Sequence, residues 1–204
     1  MKSFKLFERL ILLWLVTTIV SIAACYDDDA ESICNCVEAI TKVTLIFTNN
    51  SDSTDVVRAV AEDPDGQGVE ELVVLGSIDL ATNTTYTLTY EIEEGFESPA
   101  EDFVEIIKVE KDEQQFFYSF TEGAFSDPTG NGNIDNASDS INYLDFDCNN
   151  YPLGLETTWT TSATTIADGQ FKARLNQQPG EKTATSGADV GESDFDLTFV
   201  LNIQ

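Results

Sequence analysis

The 204-residue chain contains no histidine. Ser-His-Asp triads, Cys-His dyads and His-ligated zinc, haem or copper centres are therefore excluded. Basic side chains are scarce too: 10 Lys+Arg stand against 37 Asp+Glu, a formal net charge of −27. Phosphate backbones and anionic membrane surfaces repel such a chain, which argues against nucleic-acid binding. Cysteine is limited to Cys25, Cys34, Cys36 and Cys148. A lone Cys-x-Cys pair without histidine does not make a structural zinc site. The apolar stretch Leu10 to Ala24 falls short of the roughly 20 residues that a membrane-spanning helix needs. Heavy acidity with few aromatics would read as disorder, but aromatic residues are 10% and apolar residues 42% of this chain. It can bury a core.

What is present starts with an address. Lys2, Lys5 and Arg9 form a positive n-region, Leu10 to Val20 is apolar, and Ile22-Ala23-Ala24 precede Cys25. This is the pattern of a secretory signal peptide, and small residues directly before a cysteine form a bacterial lipobox. Cys25 is then the lipidation site: it takes a diacylglycerol, the signal is cut before it, and it becomes the first residue of the mature protein. The alternatives are an ordinary signal peptide with an incidental cysteine, or an uncleaved anchor. The chain divides into a signal peptide (1–24), an acidic lipid-anchored tether (25–39) that opens with Tyr26-Asp27-Asp28-Asp29, and a single domain (40–204). Export permits disulfides, so Cys34, Cys36 and Cys148 read as one bridge plus a spare thiol. A bridge from Cys34 or Cys36 to Cys148 is favoured over a strained Cys34–Cys36 ring, with three free thiols as the alternative.

From Lys42 onward the dominant signal is period-two alternation, the mark of half-buried strands. Val43, Leu45 and Phe47 alternate with threonines, as do Tyr86, Leu88, Tyr90 and Ile92; Phe171, Ala173 and Leu175 and then Phe195 to Ile203 repeat the pattern. Further strands are expected at 55–61, 72–80, 115–120, 141–148 and 154–162. In the 141–148 strand Leu144, Phe146 and Cys148 share a face that is expected to point inward. Ser98-Pro99-Ala100-Glu101 reads as an N-cap, a first-position proline and a capping-box glutamate, so one helix is expected over about 99–112. Segments 63–68 and 126–139 are rich in turn residues. The expectation is all-β: an immunoglobulin-like antiparallel β-sandwich with one short helical insertion.

Few constellations carry chemistry. With so many acidic residues, any two carboxylates can be paired on paper, and no pair stands out as a glycoside-hydrolase set; the chain is not expected to be an enzyme. Calcium is the one cofactor with a motif. Asp63, Asp65 and Glu70 cluster hard oxygen ligands around two glycines, and Asp127, Asn131, Asn133 and Asp135 do so more loosely, neither with full EF-hand spacing. Plain hairpin turns are the competing explanation. Phe117 and Trp159 are candidates for stacking on a sugar or a partner if exposed. Lys172 and Arg174 project from one wet strand face as a candidate partner or anionic-ligand face. Ser53 and Ser140 sit in short Asp-Ser motifs that resemble the O-glycosylation sequon of Bacteroidota.

Six stretches carry a family resemblance: Val43-Thr44-Leu45-Ile46-Phe47-Thr48, Glu62-Asp63-Pro64-Asp65-Gly66, Thr84-Thr85-Tyr86-Thr87-Leu88, Pro99-Ala100-Glu101-Asp102, Gly154-Leu155-Glu156-Thr157-Thr158-Trp159-Thr160 and Arg174-Leu175-Asn176-Gln177-Gln178-Pro179-Gly180. Together they resemble a family of small Bacteroidota lipoproteins labelled "type 1 periplasmic binding fold superfamily protein", found beside TonB-dependent outer-membrane receptors. Members of that family often show His where this chain has Gln114 or Gln115, and again at Gln177, so a metal or haem role of those positions does not carry over. The acidic cluster after Cys25 is similar to the Bacteroidota signal for export to the outer leaflet. The resemblance implies a non-catalytic accessory binding protein of a TonB-dependent uptake system, lipid-anchored at the outer membrane and exposed at the cell surface. A structural or adhesive surface lipoprotein with no transported ligand is the alternative, and a carboxylate-based glycan hydrolase the third.

Overall fold

The computed structural model describes residues 39–66, 71–95 and 100–204. In chain order these form β1 (Ile40–Asn49), β2 (Val56–Glu62), β3 (Val73–Leu75), β4 (Ser77–Leu80), β5 (Thr85–Glu94), β6 (Glu101–Asp102), α1 (Phe103–Val109), β7 (Gln114–Phe120), β8 (Phe125–Asp127), β9 (Thr157–Thr161), β10 (Ile166–Gln177) and β11 (Glu192–Ile203). One sheet runs β3-β2-β1-β5-β9-β8, with β6 added on β5; the other runs β4-β11-β10-β7. All pairings are antiparallel except β4 with β11. This is the all-β sandwich that the alternation predicts.

Alternation becomes packing as expected. Tyr86, Leu88, Tyr90 and Ile92 of β5 are buried while their threonine neighbours stand outward. Between the sheets Phe47 meets Phe171 edge-on at 5.6 Å, and Tyr90 lies against Phe116 at 4.5 Å. The outer face of β1 is covered as well. Arg58 of β2 reaches across it in a bidentate pair with Glu91 of β5, at 2.8 and 3.1 Å. The register sets Arg58 beside Ile46 and Glu91 beside Thr44, and both β1 residues are buried.

Three expectations need correction. The 72–80 strand is two strands: Gly76, at φ +91°, breaks it, and β3 and β4 belong to different sheets. A left-handed glycine lets the chain change sheets where a side chain would be strained. The helix is shorter than 99–112. Its N-cap is Asp102, whose carboxylate accepts from the Val104 N–H at 3.0 Å, because residues 101–102 stay extended to pair with the end of β5. Ser98 and Pro99 lie outside the described residues.

The third correction concerns 141–148, which is no strand but a segment with only isolated bridges, Tyr143 to Thr157 and Phe146 to Pro152. Its alternation is real and its sign is reversed: Leu144 (50% exposed), Phe146 (43%) and Cys148 face solvent, while Asp147 is buried. Two aspartates find better hydrogen-bond partners inside than the apolar side chains find contacts. Cys148 is a free, exposed thiol, and its expected partners Cys34 and Cys36 lie outside the described residues, as does Cys25.

Candidate functional site

The most elaborate polar construction is built on the outer edge of β7. Among the described residues that edge has no strand partner beyond it, and its backbone groups are taken by loops. Phe120 N–H donates to Asn131 O, Asn133 N–H to Tyr118 O, and Phe116 N–H to Leu153 O, at 2.7–2.8 Å. Gly132 sits here at φ +98°, and a Cβ on it would collide with the Tyr118 carbonyl oxygen. Only glycine allows this approach.

Side chains extend the same contacts. Asn133 is buried; its Oδ1 accepts from Tyr118 N–H at 2.9 Å and its Nδ2 donates to the Tyr143 hydroxyl at 2.9 Å. Tyr143 donates in turn to Phe116 O at 2.7 Å, and Tyr118 to Gly154 O at 2.7 Å while accepting from Tyr90 at 3.1 Å. Burial pushes all three phenols up, Tyr143 to about 12, so each stays neutral.

Two inward carboxylates follow on the same segment. Asp145 accepts from the N–H groups of Gly154 (2.9 Å), Leu155 (3.0 Å) and Glu156 (3.3 Å). Burial raises its pKa, and those three donors oppose the rise. Asp147 Oδ1 accepts from Asn149 N–H at 2.7 Å and Tyr151 N–H at 2.8 Å, which closes a tight hairpin. Its Oδ2 makes no hydrogen bond but lies 3.3 Å from Lys182 Nζ, with the two side chains 0% and 1% exposed. Burial would raise the Asp147 pKa, yet the two N–H donors and the Lys182 charge outweigh it and the net shift is down. Lys182 is lowered by burial against the pull of Asp147, and it donates at 2.6 Å to Lys111 O. One ammonium thus ties together the end of the helical excursion, the 145–152 hairpin and the loop after β10.

The residues singled out in the sequence do not converge on this place. Asp63 Oδ1 caps its own turn by accepting from Asp65 and Gly66 N–H at 3.1 Å, and Glu70 lies outside the described residues. Asn131 donates to Asp135 at 2.9 Å and Asp127 ends β8, but Asn133 is turned inward. Among the described residues no group of three or more acidic or cysteine side chains is arranged to hold a metal. Phe117 and Trp159 are fully buried and offer no stacking surface, a correction with two causes: both faces of β7 are covered at Phe117, and Trp159 of β9 points into the aromatic core between the sheets. Lys172 pairs with Asp196 at 2.8 Å and Arg174 Nε donates to Asn176 at 2.7 Å, both on the outer face of β10. Ser53 and Ser140 are exposed in loops. Asp145, Asp147 and Lys182 were missed. The available signal was an aspartate at every second position of 145–147 beside Leu144 and Phe146.

No family model, curated protein or solved structure matches the chain. Fold and polar interior define a β-sandwich protein whose buried polar groups hold loops. In these groups the carboxylates face the chain's own N–H groups and Lys182, and the phenols are neutral.

Asp194 carries a separate expectation. It projects at the start of β11 near Glu110 and Glu192, and in the amide orientation that satisfies both neighbours Gln114 donates to it at 3.2 Å. Desolvation, and then the charges of Glu110 and Glu192, push its carboxyl up to about 6. An acid raised on folding binds its proton in the native state first. The native state therefore gains stability as pH falls from about 7 towards 4, and loses it as pH rises through 6. Because the residue is solvent-exposed, the effect is discounted to about 1 kcal/mol or less. Asp194→Asn is expected to raise the melting temperature at pH 7.5 and to change little at pH 4, read by thermal denaturation. A variant less stable at pH 7.5 would show that the carboxylate is held by attraction.

Proposed function

We propose that the protein is a lipid-anchored, non-catalytic accessory binding component of a TonB-dependent uptake system at the outer membrane, exposed at the cell surface. One observation carries the reading: a basic and apolar leader ending in Ile22-Ala23-Ala24-Cys25, followed at once by Tyr26-Asp27-Asp28-Asp29. Lipid on Cys25 confines the sandwich to a thin shell at the membrane surface. A weak contact with an outer-membrane barrel then suffices, because tethering raises the effective concentration. The contact face proposed is the outer side of β10 around Lys172 and Arg174, where basic groups interrupt a chain of net charge −27.

The anchor is tested first. Cys25→Ala is expected to abolish partition into the detergent phase, since the diacylglycerol has no other thioether site at a lipobox. Retention of the variant in membranes would end the lipoprotein reading. The partner is tested by crosslinking cells and identifying what is captured, with wild type beside Lys172→Glu/Arg174→Glu. Enrichment of a TonB-dependent receptor that the double variant loses supports the uptake role. Equal capture by both, or no receptor, favours a structural or adhesive lipoprotein.

A further inference from the structure

We propose that Lys182 and Asp147 condense to an intramolecular amide, an isopeptide cross-link between the 145–152 hairpin and the loop that follows β10. The geometry is that of a nucleophile and an acyl group sealed from water. Nζ lies 3.3 Å from Asp147 Oδ2, and the side chains are 1% and 0% exposed. The two oxygens of Asp147 are held differently. Oδ1 accepts two backbone N–H bonds, from Asn149 at 2.7 Å and Tyr151 at 2.8 Å. Oδ2 has no hydrogen-bond donor. That asymmetry assigns the roles: Oδ1 remains as the amide oxygen and Oδ2 leaves.

The steps balance without any co-reactant. A proton passes from Nζ to Oδ2, the oxygen 3.3 Å away; burial, which lowers the Lys182 pKa, assists this step, while the two N–H donors that hold Asp147 ionised oppose it. The freed lone pair on Nζ attacks Cγ, and the electrons of the Cγ–Oδ1 double bond move onto Oδ1. Two N–H groups already aimed at Oδ1 stabilise the charge that develops there, which is how backbone amides act in acyl transfer. When those electrons return, the Cγ–Oδ2 bond breaks and Oδ2 departs as water, taking a second proton from Nζ. Confinement of both groups by the fold replaces a bimolecular encounter. The short bond from Nζ to Lys111 O fixes the amine at the site before reaction. Once formed, the bond fastens two loops flanking the outer face of β7 and β10.

Tryptic mapping of the purified full chain tests this independently of events at the N-terminus. Residues 112–172 and 175–204 contain no tryptic site apart from Lys182. The expected product is a branched peptide joining these two stretches, lighter than their sum by one water molecule beyond ordinary digestion, with no cleavage after Lys182. Lys182→Met is expected to abolish the branched peptide. Asp147→Ala, which removes the acyl group, is expected to abolish it as well. Free Lys182, cleaved by trypsin in the wild-type protein, would overturn the proposal and leave an ordinary buried ion pair. The wild-type digest decides even if neither variant folds.

Discussion

Trp159→Ala is expected to lower the unfolding free energy by about 3–5 kcal/mol, the range for emptying a large aromatic site in a packed core. The indole is fully buried in β9 and is ringed by Phe125 and Phe171 at 5.0 Å, Tyr118 at 5.2 Å and Phe120 at 5.4 Å. These neighbours come from both sheets, so the cavity opens at the sandwich interface and not at its margin. Several of the contacts are edge-to-face, which adds to the loss from area alone. Nε1 donates to Thr157 Oγ1 at 2.8 Å, and truncation leaves that hydroxyl without its donor. Trp159→Phe keeps most of the volume and is expected to lose roughly half as much. Urea unfolding followed by circular dichroism measures both, and an unchanged slope shows that the cost is in stability and not in the denatured state. A loss below about 1 kcal/mol for the alanine variant would mean that the aromatic cluster collapses around the gap.

Trp159 also marks where the sequence can be read and where it cannot. Alternation of apolar with polar residues put β5, β10 and β11 in place, because a sheet with one wet face imposes its period on the chain. The same pattern does not tell which faces are covered where a strand has two dry faces or none. In β7 Gln114, Gln115, Phe116, Phe117 and Tyr118 are all buried, and only loops distant in sequence explain the outer side. In 141–148 the pattern gave the right two faces and the wrong orientation: an aspartate goes inside when enough N–H groups wait there, and those of Gly154 to Glu156 cannot be foreseen from residue 145. The helix was shortened by a competing ladder at the end of β5, which local capping signals do not register.

The buried polar cluster was illegible for a related reason. Lys182 lies in a stretch of glycine, threonine and serine that reads as solvated loop, and nothing near it in sequence pairs with Asp147, 35 residues earlier. The turn residues chosen as calcium ligands were recognisable as oxygen-rich, but Asp63 and Asn133 spend their side chains on backbone N–H groups. Local composition identifies donors and acceptors; only the fold decides which are consumed.

Asp145→Ala is expected to be as damaging as the loss of the core indole, although it deletes only one small side chain. Three backbone N–H groups, those of Gly154, Leu155 and Glu156, lose their acceptor together. Gly154 and Leu155 are buried, and each buried donor left unpaired costs about 1–3 kcal/mol, with hydrogen bonds to a charged acceptor at the upper end; Glu156 is exposed and its N–H can turn to water. Relief of the desolvation that raises the Asp145 pKa returns part of this. The net expectation is about 3 kcal/mol or more. Asp145→Asn separates the contributions. An amide oxygen in the place of Oδ1 still accepts from Gly154 and Glu156, while its NH2 faces the Leu155 N–H, donor against donor. A loss of about 1–2 kcal/mol is expected there. Both variants are to be measured in a Lys182→Met background, where no amide can form at residue 182, so that the loss reports on the three N–H groups. Hydrogen exchange gives the local readout: the Gly154, Leu155 and Glu156 amides should exchange faster in Asp145→Ala, ahead of global unfolding. If those amides stay protected and stability falls by less than about 1 kcal/mol, the carboxylate is not what holds the 141–154 segment against β7.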